Sequence, residues 1–216
     1  MTFLRARRPE HKQQRREAIL AAARELARTS GVRNVSLGAV AEAVGLAKSN
    51  IVRYFGTREE IYLELCVEEW EQWAEAVAAR LPGITDPAEA MKVLAETVVE
   101  RPLLCDLMGH TSTTLEHNVS VPAAYAFKRT VLAVSGEMGA RIARDTGLTE
   151  REGLELVAAA SGLAGMLYPI AHPSPALAQV YAEHPELAAA CPELLPTLLR
   201  ALQALAAGLP TLRQPE

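Results

Sequence analysis

Residues 36–56 constrain this chain more than any other stretch. Ser36 stands where its hydroxyl can accept from the backbone N–H groups of a first helical turn. Val40, Ala41 and Val44 follow at helical spacing, and Gly45 breaks the run. A second short helix is predicted from about Lys48 to Phe55, ended by Gly56. Ala41 is small enough to let the two helices cross closely, and Leu46 and Ile51 supply the apolar lock between them. Two short helices joined in this way form a helix-turn-helix pattern. One face of the second helix must be held rigidly while the other stays free. The free face carries Lys48, Ser49, Asn50, Val52, Arg53 and Tyr54. Cationic, hydrogen-bonding and apolar groups are thus presented together, the kinds that reach phosphates, base edges and thymine methyls.

Charge supports a polyanion partner once it is divided along the chain. The net charge of −4 over 216 residues suggests an ordinary acidic protein. Residues 1–60, however, hold 12 Lys/Arg against 6 Asp/Glu, and the remainder holds 10 against 20. A basic first quarter on an acidic body is the asymmetry of a nucleic-acid-binding head. Arg5, Arg7 and Arg8 lie in a stretch, residues 1–10, read as a flexible, solvated arm.

The expected fold class is all-α. Hydrophobic residues make up 50% of the chain and aromatics only 5%, with Ala and Leu dominant, which favours helices packed on helices. A first helix is predicted from about His11 to Thr29, stopped by Gly31. Thr57 with Glu60 reads as a capping box for a long helix to about Arg80, and Thr149 with Glu152 as a second one. Asp86-Pro87, Pro102 and Ser120-Val121-Pro122 open further helices, and the proline-rich stretch 169–192 reads mostly as loop with one short helix near Ala176–Ala182. The division is a DNA-binding domain over 1–56 and a helical ligand-binding and dimerisation domain over 57–216.

Other functions find little footing. Cys66, Cys105 and Cys191 form no CxxC pair, so neither a zinc ribbon nor a disulfide framework is indicated. Asp106, His110 and His117 share a helical face only if the helix continues past Thr111-Ser112-Thr113-Thr114, and no metal site is assigned to them. No GxSxG, GxGxxG, Walker or HExxH motif is present, so an enzyme is not expected and no cofactor is implied. Leu156–Ile170 is too short to span a bilayer, and no apolar leader follows the first arginines; no membrane partner is expected.

The run from Gly45 through Ile61, GLAKSNIVRYFGTREEI, resembles the signature of the tetracycline-repressor (TetR) family of regulators. Arg16-Glu17-Ala18-Ile19-Leu20 and Gly31-Val32-Arg33-Asn34-Val35-Ser36 also sit where that family has its first helix and the approach to its second, so the likeness covers about residues 12–64. The resemblance implies that Ser36 caps the second helix and touches a phosphate, and that Lys48, Ser49 and Asn50 open the recognition helix. It implies that Tyr54 reaches the DNA backbone, that Arg58 meets a phosphate, and that Phe55 is a buried joint. Three positions depart from the pattern: Val52 replaces a Tyr, Gly56 a frequent Pro, and Ala47 a Ser/Thr cap.

For the body, the expected dimer seam combines small residues of one helix, Ala158, Ser161, Gly162 and Gly165, with the stripe Leu195, Leu198, Leu199 and Leu202. Trp70, Trp73, Met108, Tyr125, Met138, Met166 and Tyr168 are the candidate ligand-pocket residues. The expected function is a homodimeric repressor of the bacterial cytoplasm, bound to a palindromic double-stranded DNA operator on the nucleoid and released by a small-molecule effector. An activator, or a helical ligand-binding or enzymatic protein with a vestigial head, is the alternative.

Overall fold

A computed structural model describes residues 7–213. Among these residues every regular element is helical. Helix α1 (Arg7–Ser30) starts ahead of the expected His11, so the backbone of residues 7–10, read as part of an arm, is helical. Arg5 lies outside the described residues. Ile19, Ala23 and Ala27 bury one face of α1, and Gly31, at φ 81°, turns the chain into a 3-10 turn over Val32–Asn34. There follow α2 (Leu37–Ala43), α3 (Lys48–Ile51) and the long α4 (Arg58–Arg80). The described residues 7–56 supply a helical head, whose first helix packs on α4.

The body continues with α5 (Pro87–Val99), α6 (Pro102–Thr111), α7 (Val121–Thr146) and α8 (Glu150–Ala171). Within the proline-rich stretch the short helix expected near Ala176–Ala182 is α9 (Pro175–Glu183), and α10 (Pro185–Ala188) adds one further turn before α11 (Leu194–Gly208). Helix α8 packs against α6, α7 and α11. It is long and apolar enough to cross a membrane by length and composition, and it extends past Tyr168 with Pro169 inside it. Yet Leu156, Val157, Ala160 and Ala164 are fully buried against its neighbours.

Two glycine pairs set how closely these helices approach. A Cβ on Gly139 of α7 would lie 2.6 Å from the Leu154 nitrogen of α8, and one on Gly153 would fall inside the Gly139 carbonyl. At the α6–α8 crossing, a Cβ on Gly165 would stand 2.8 Å from the Gly109 nitrogen. Backbone touches backbone at both crossings, so no larger residue fits without moving a helix. Gly165 therefore serves the monomer's own packing, which corrects its assignment to a dimer seam.

The caps differ in detail. Thr149 and Glu152 form a full capping box, each side chain bonded to the other's backbone N–H. Thr57 accepts from the Glu60 N–H at 3.2 Å, but the Glu60 carboxylate reaches the N–H groups of Gly56 and Ser120, both at 2.9 Å. A proline at position 56 would have no N–H to give, which explains why glycine is accommodated here. The bond to Ser120 also ties the start of α4 to the start of α7.

Candidate nucleic-acid interface

The head is built around a small core. Val40, Ala41, Ile51 and Phe55 are each at most 3% exposed. The turn between α2 and α3 closes through Gly45 N–H to the Glu42 carbonyl at 3.0 Å and Leu46 N–H to the Ala41 carbonyl at 2.9 Å, with Gly45 at φ 64°. Ser36 caps α2, its hydroxyl accepting from the Ala39 N–H at 3.1 Å. Helix α3 is shorter than expected. Beyond Ile51 the backbone tightens, with Tyr54 N–H and Phe55 N–H both returning to the Ile51 carbonyl at 2.8 and 3.0 Å. Arg16 secures this end: it donates to the Tyr54 carbonyl at 2.8 Å, pairs with Glu64 of α4, and lies 4.1 Å over the Phe55 ring.

Ile51 points inward, which leaves the other side of α3 free. Lys48, Ser49, Asn50, Val52 and Arg53 are exposed, Val52 at 47%, and Tyr54 is half-buried. Among the described residues neither Lys48 nor Arg53 has an ion-pair partner within 4 Å. Asn50, Arg53 and Tyr54 also share a groove of about 510 Å³ with Lys12 and Arg15 of α1. Sequence reasoning missed Lys12 and Arg15 as part of this surface. The basic run preceding Ile19 was the available signal, but only the packing of α1 beside α3 brings it alongside.

Arg58 is not on that face. Its guanidinium donates to the carbonyls of Val32 and Val35, pairs with Glu59 at 3.1 Å, and lies 4.7 Å from the Tyr62 ring centroid. With its donors turned inward it joins the α1–α2 connection to α4, which corrects its assignment as a phosphate contact. Burial, partly offset by Arg58, pushes the Tyr62 phenol up to about 12.

The body departs further from expectation. Trp73, Met138 and Trp70 are 0%, 1% and 6% exposed and fill the core; the Trp73 N–H donates to the equally buried Thr97 hydroxyl at 3.0 Å. Tyr125 and Met166, at 66% and 55% exposed, lie on the outer surface. Met108 packs against the core. Tyr168 borders a cleft of about 520 Å³ where α1 meets α4, α6 and α8. In the expected seam, Leu198 and Leu202 are fully buried within the monomer, whereas Ala158 and Gly162 are exposed and Ser161, Leu195 and Leu199 are half-buried. Asp106 and His110 pair at 3.4 Å, while the helix breaks after Thr111 and His117 turns to the Ser112 carbonyl at 3.1 Å.

A tri-helical head whose third helix, α3, is exposed and flanked by basic residues, on an all-helical body, is the architecture of a helix-turn-helix DNA-binding transcriptional regulator. Residues 19–65 match the family of bacterial regulatory proteins named for tetR, and residues 67–213 match the tetracyclin repressor-like C-terminal domain. The chain belongs to the TetR family of transcriptional regulators. Comparison with curated proteins gives no significant match. Solved structures share the fold. Thermus thermophilus FadR, a TetR family repressor in complex with lauroyl-CoA, is 19% identical over 93% of this chain and 96% of its own, with a TM-score of 0.57. A TetR regulator from a Rhodococcus species is 19% identical over 94% and 99%, with a TM-score of 0.53. The multidrug binding protein EbrR, complexed with imidazole, is 21% identical over 88% and 94%, with a TM-score of 0.55.

Proposed function

We propose that this regulator is a homodimeric repressor that binds a palindromic operator and is released by a small-molecule effector. The observation that carries the DNA-binding part is the free face of α3, where Lys48, Ser49, Asn50, Val52 and Arg53 are exposed around the buried anchor Ile51. In this reading Lys48 and Arg53 meet phosphates or guanine edges, Ser49 and Asn50 hydrogen-bond bases, and Val52 meets a thymine methyl. Ser36, already spent on its cap, approaches a phosphate, and Tyr54 reaches the backbone. Lys12 and Arg15 extend the cationic surface along α1. The head of residues 1–56 does the reading, and the acidic body of residues 57–216 carries dimerisation and the effector.

Dimerisation is supported by the outer face of α8. Leu154, Ala158, Gly162 and Met166 recur every four residues and are exposed, with half-buried Ser161 beside them, and Leu154 and Met166 are apolar. Half-buried Leu195 and Leu199 lie on the adjacent α11. Two such faces related by a twofold axis make a four-helix interface. The effector acts by favouring a separation of the two heads that no longer matches the half-sites.

The test is selection of bound sequences from random duplex DNA, followed by affinity measurements on the selected site over a range of salt. A palindrome bound by two chains, with the salt slope reduced by about one in Lys48→Ala, is the expected result. An asymmetric site bound by one chain, or an unchanged slope in that variant, refutes the docking. Transcription in vitro from a promoter overlapping the site sets the sign: loss of transcript is expected, and activation overturns the repressor reading.

A further inference from the structure

The cleft of about 520 Å³ lies between the head and the body, bordered by α1 on one side and by α4, α6 and α8 on the others. It is distinct from the body core, which Trp73, Met91, Leu94 and Met138 fill at 1% exposure or less. Its size is that of a small-molecule site.

One group on its wall is out of balance. Glu69 of α4 is 3% exposed, and its Oε1 is buried with no hydrogen-bond partner among the described residues. The nearest cation, Arg101, stands 3.9 Å from the other oxygen and gives its hydrogen bond to Gln72 at 3.2 Å. The other acids on the cleft are already engaged. Glu100 is held by both ends of the Arg80 guanidinium, and Asp106 accepts from the Val32 N–H at 2.7 Å and faces His110. A carboxylate oxygen buried without a donor is costly, and Glu69 lines this cleft, so a small turn of its side chain would offer that oxygen to a donor in the cavity.

We propose that this head–body cleft is the effector site, and that it takes a small organic cation, a primary ammonium or amidinium, whose N–H groups bond to Glu69. An ionised donor suits the acceptor better than a neutral one, because charge-assisted bonds are the stronger. The apolar part of such a molecule would lie against Leu103, Pro169 and the Tyr168 ring, which border the same cleft. Ala27 and Arg28 of α1, with Gly31 just past its end, form the opposite wall, so an occupant pushes directly between head and body. It does so beside Asp106, whose bond to Val32 ties the two together. This deepens the effector-released reading above and rests on it for its consequence, though not for the binding itself.

The experiment separates the two. Full-length protein is titrated with benzamidinium and n-butylammonium, with benzamide and n-butanol as neutral partners, by calorimetry and by amide chemical shifts. The cations are expected to bind at least about tenfold more tightly than the neutral partners and to shift the Val32 and Gly31 amides. Glu69→Gln, which keeps the shape and removes the charge, is expected to lose that preference. Glu69→Asp serves as the second variant should Glu69→Gln fold poorly, and is expected to retain the preference for cations with weaker binding. Equal binding of cations and neutral partners, binding of neither, or an undiminished preference in Glu69→Gln overturns the site. Cation binding that leaves operator affinity unchanged confirms the site and instead refutes its role in release.

Discussion

Removing the Asp106 carboxylate should loosen the head from the body, and the cost follows from two contacts. Asp106 lies on α6, and one of its oxygens accepts from the Val32 N–H at 2.7 Å across the junction. Val32 opens the 3-10 turn after α1 and is 1% exposed, so its N–H has no neighbour in the turn to bond and no route to solvent. In Asp106→Ala that donor is left buried and unmatched, at a cost of about 1–3 kcal/mol. For a chain of this size the thermal midpoint should fall by roughly 2–4 °C per kcal/mol. Asp106→Asn keeps an acceptor but loses the charge, and should cost only about 1 kcal/mol, the gap between a charge-assisted and a neutral bond.

The pH dependence has a definite sign. Burial raises the Asp106 pKa, but the hydrogen bonds from His110 and from the Val32 N–H outweigh it and hold the carboxyl below its ordinary value. A depressed acid contributes stability above its unfolded pKa, about 3.9, and loses it as pH falls through the lower folded value. The advantage of the native chain over Asp106→Asn should therefore be full at neutral pH and vanish in strong acid. Calorimetric melts across pH, with hydrogen exchange at the Val32 amide, check both parts. An Asp106→Ala protein that melts with the native chain and protects Val32 equally well would show that this bond holds nothing.

Arg58→Ala should lower stability by about 1–3 kcal/mol by stranding the Val32 and Val35 carbonyls, while the salt slope of DNA binding stays as it was; a slope smaller by one would return Arg58 to the phosphates. Gly153→Ala drives a Cβ into the Gly139 carbonyl and should cost at least about 1–3 kcal/mol in denaturant titrations. Gly136→Ala on the same α7 meets no atom within 4 Å and should gain up to about 1 kcal/mol, and equal effects of the two glycine changes would contradict the close crossing. Ala158→Glu, on the exposed side of α8, should give a folded monomer by light scattering, and a dimer of unaltered mass would move the seam elsewhere.

The head was largely legible from residues alone, because its information is local. Ser36 caps, Gly45 turns, and Ile51 anchors within a span of about twenty positions, so the inward and outward sides of α3 follow from helical period. The all-helical class and the capping box at Thr149 follow from equally short-range rules. Where a side chain meets something distant, those rules have no purchase. Arg58 carries the charge and position of a phosphate ligand, yet the carbonyls of Val32 and Val35, brought close by the packing of the head on α4, claim its donors first. Lys12 and Arg15 come beside Asn50, Arg53 and Tyr54 through a different long-range packing, that of α1 alongside α3.

In the body, periodicity identified apolar stripes without saying what each faces. Leu198 and Leu202 share a stripe with Leu195 and Leu199, but a helix of this width buries one side fully and the other only partly, and the neighbours α5 and α8 decide which. Trp73 and Met138 have the size of pocket residues and were drawn into the core, while Tyr125 and Met166 were left outside it. Sequence by itself therefore settled the all-helical class, the caps at Ser36 and Thr149 and which side of α3 is buried, since each depends on neighbours a few residues away. The fate of Arg58, the filled core and the Glu69 cleft depend on groups tens of residues apart. Only the packed chain brings those groups together and sets which of two competing partners a buried polar side chain keeps.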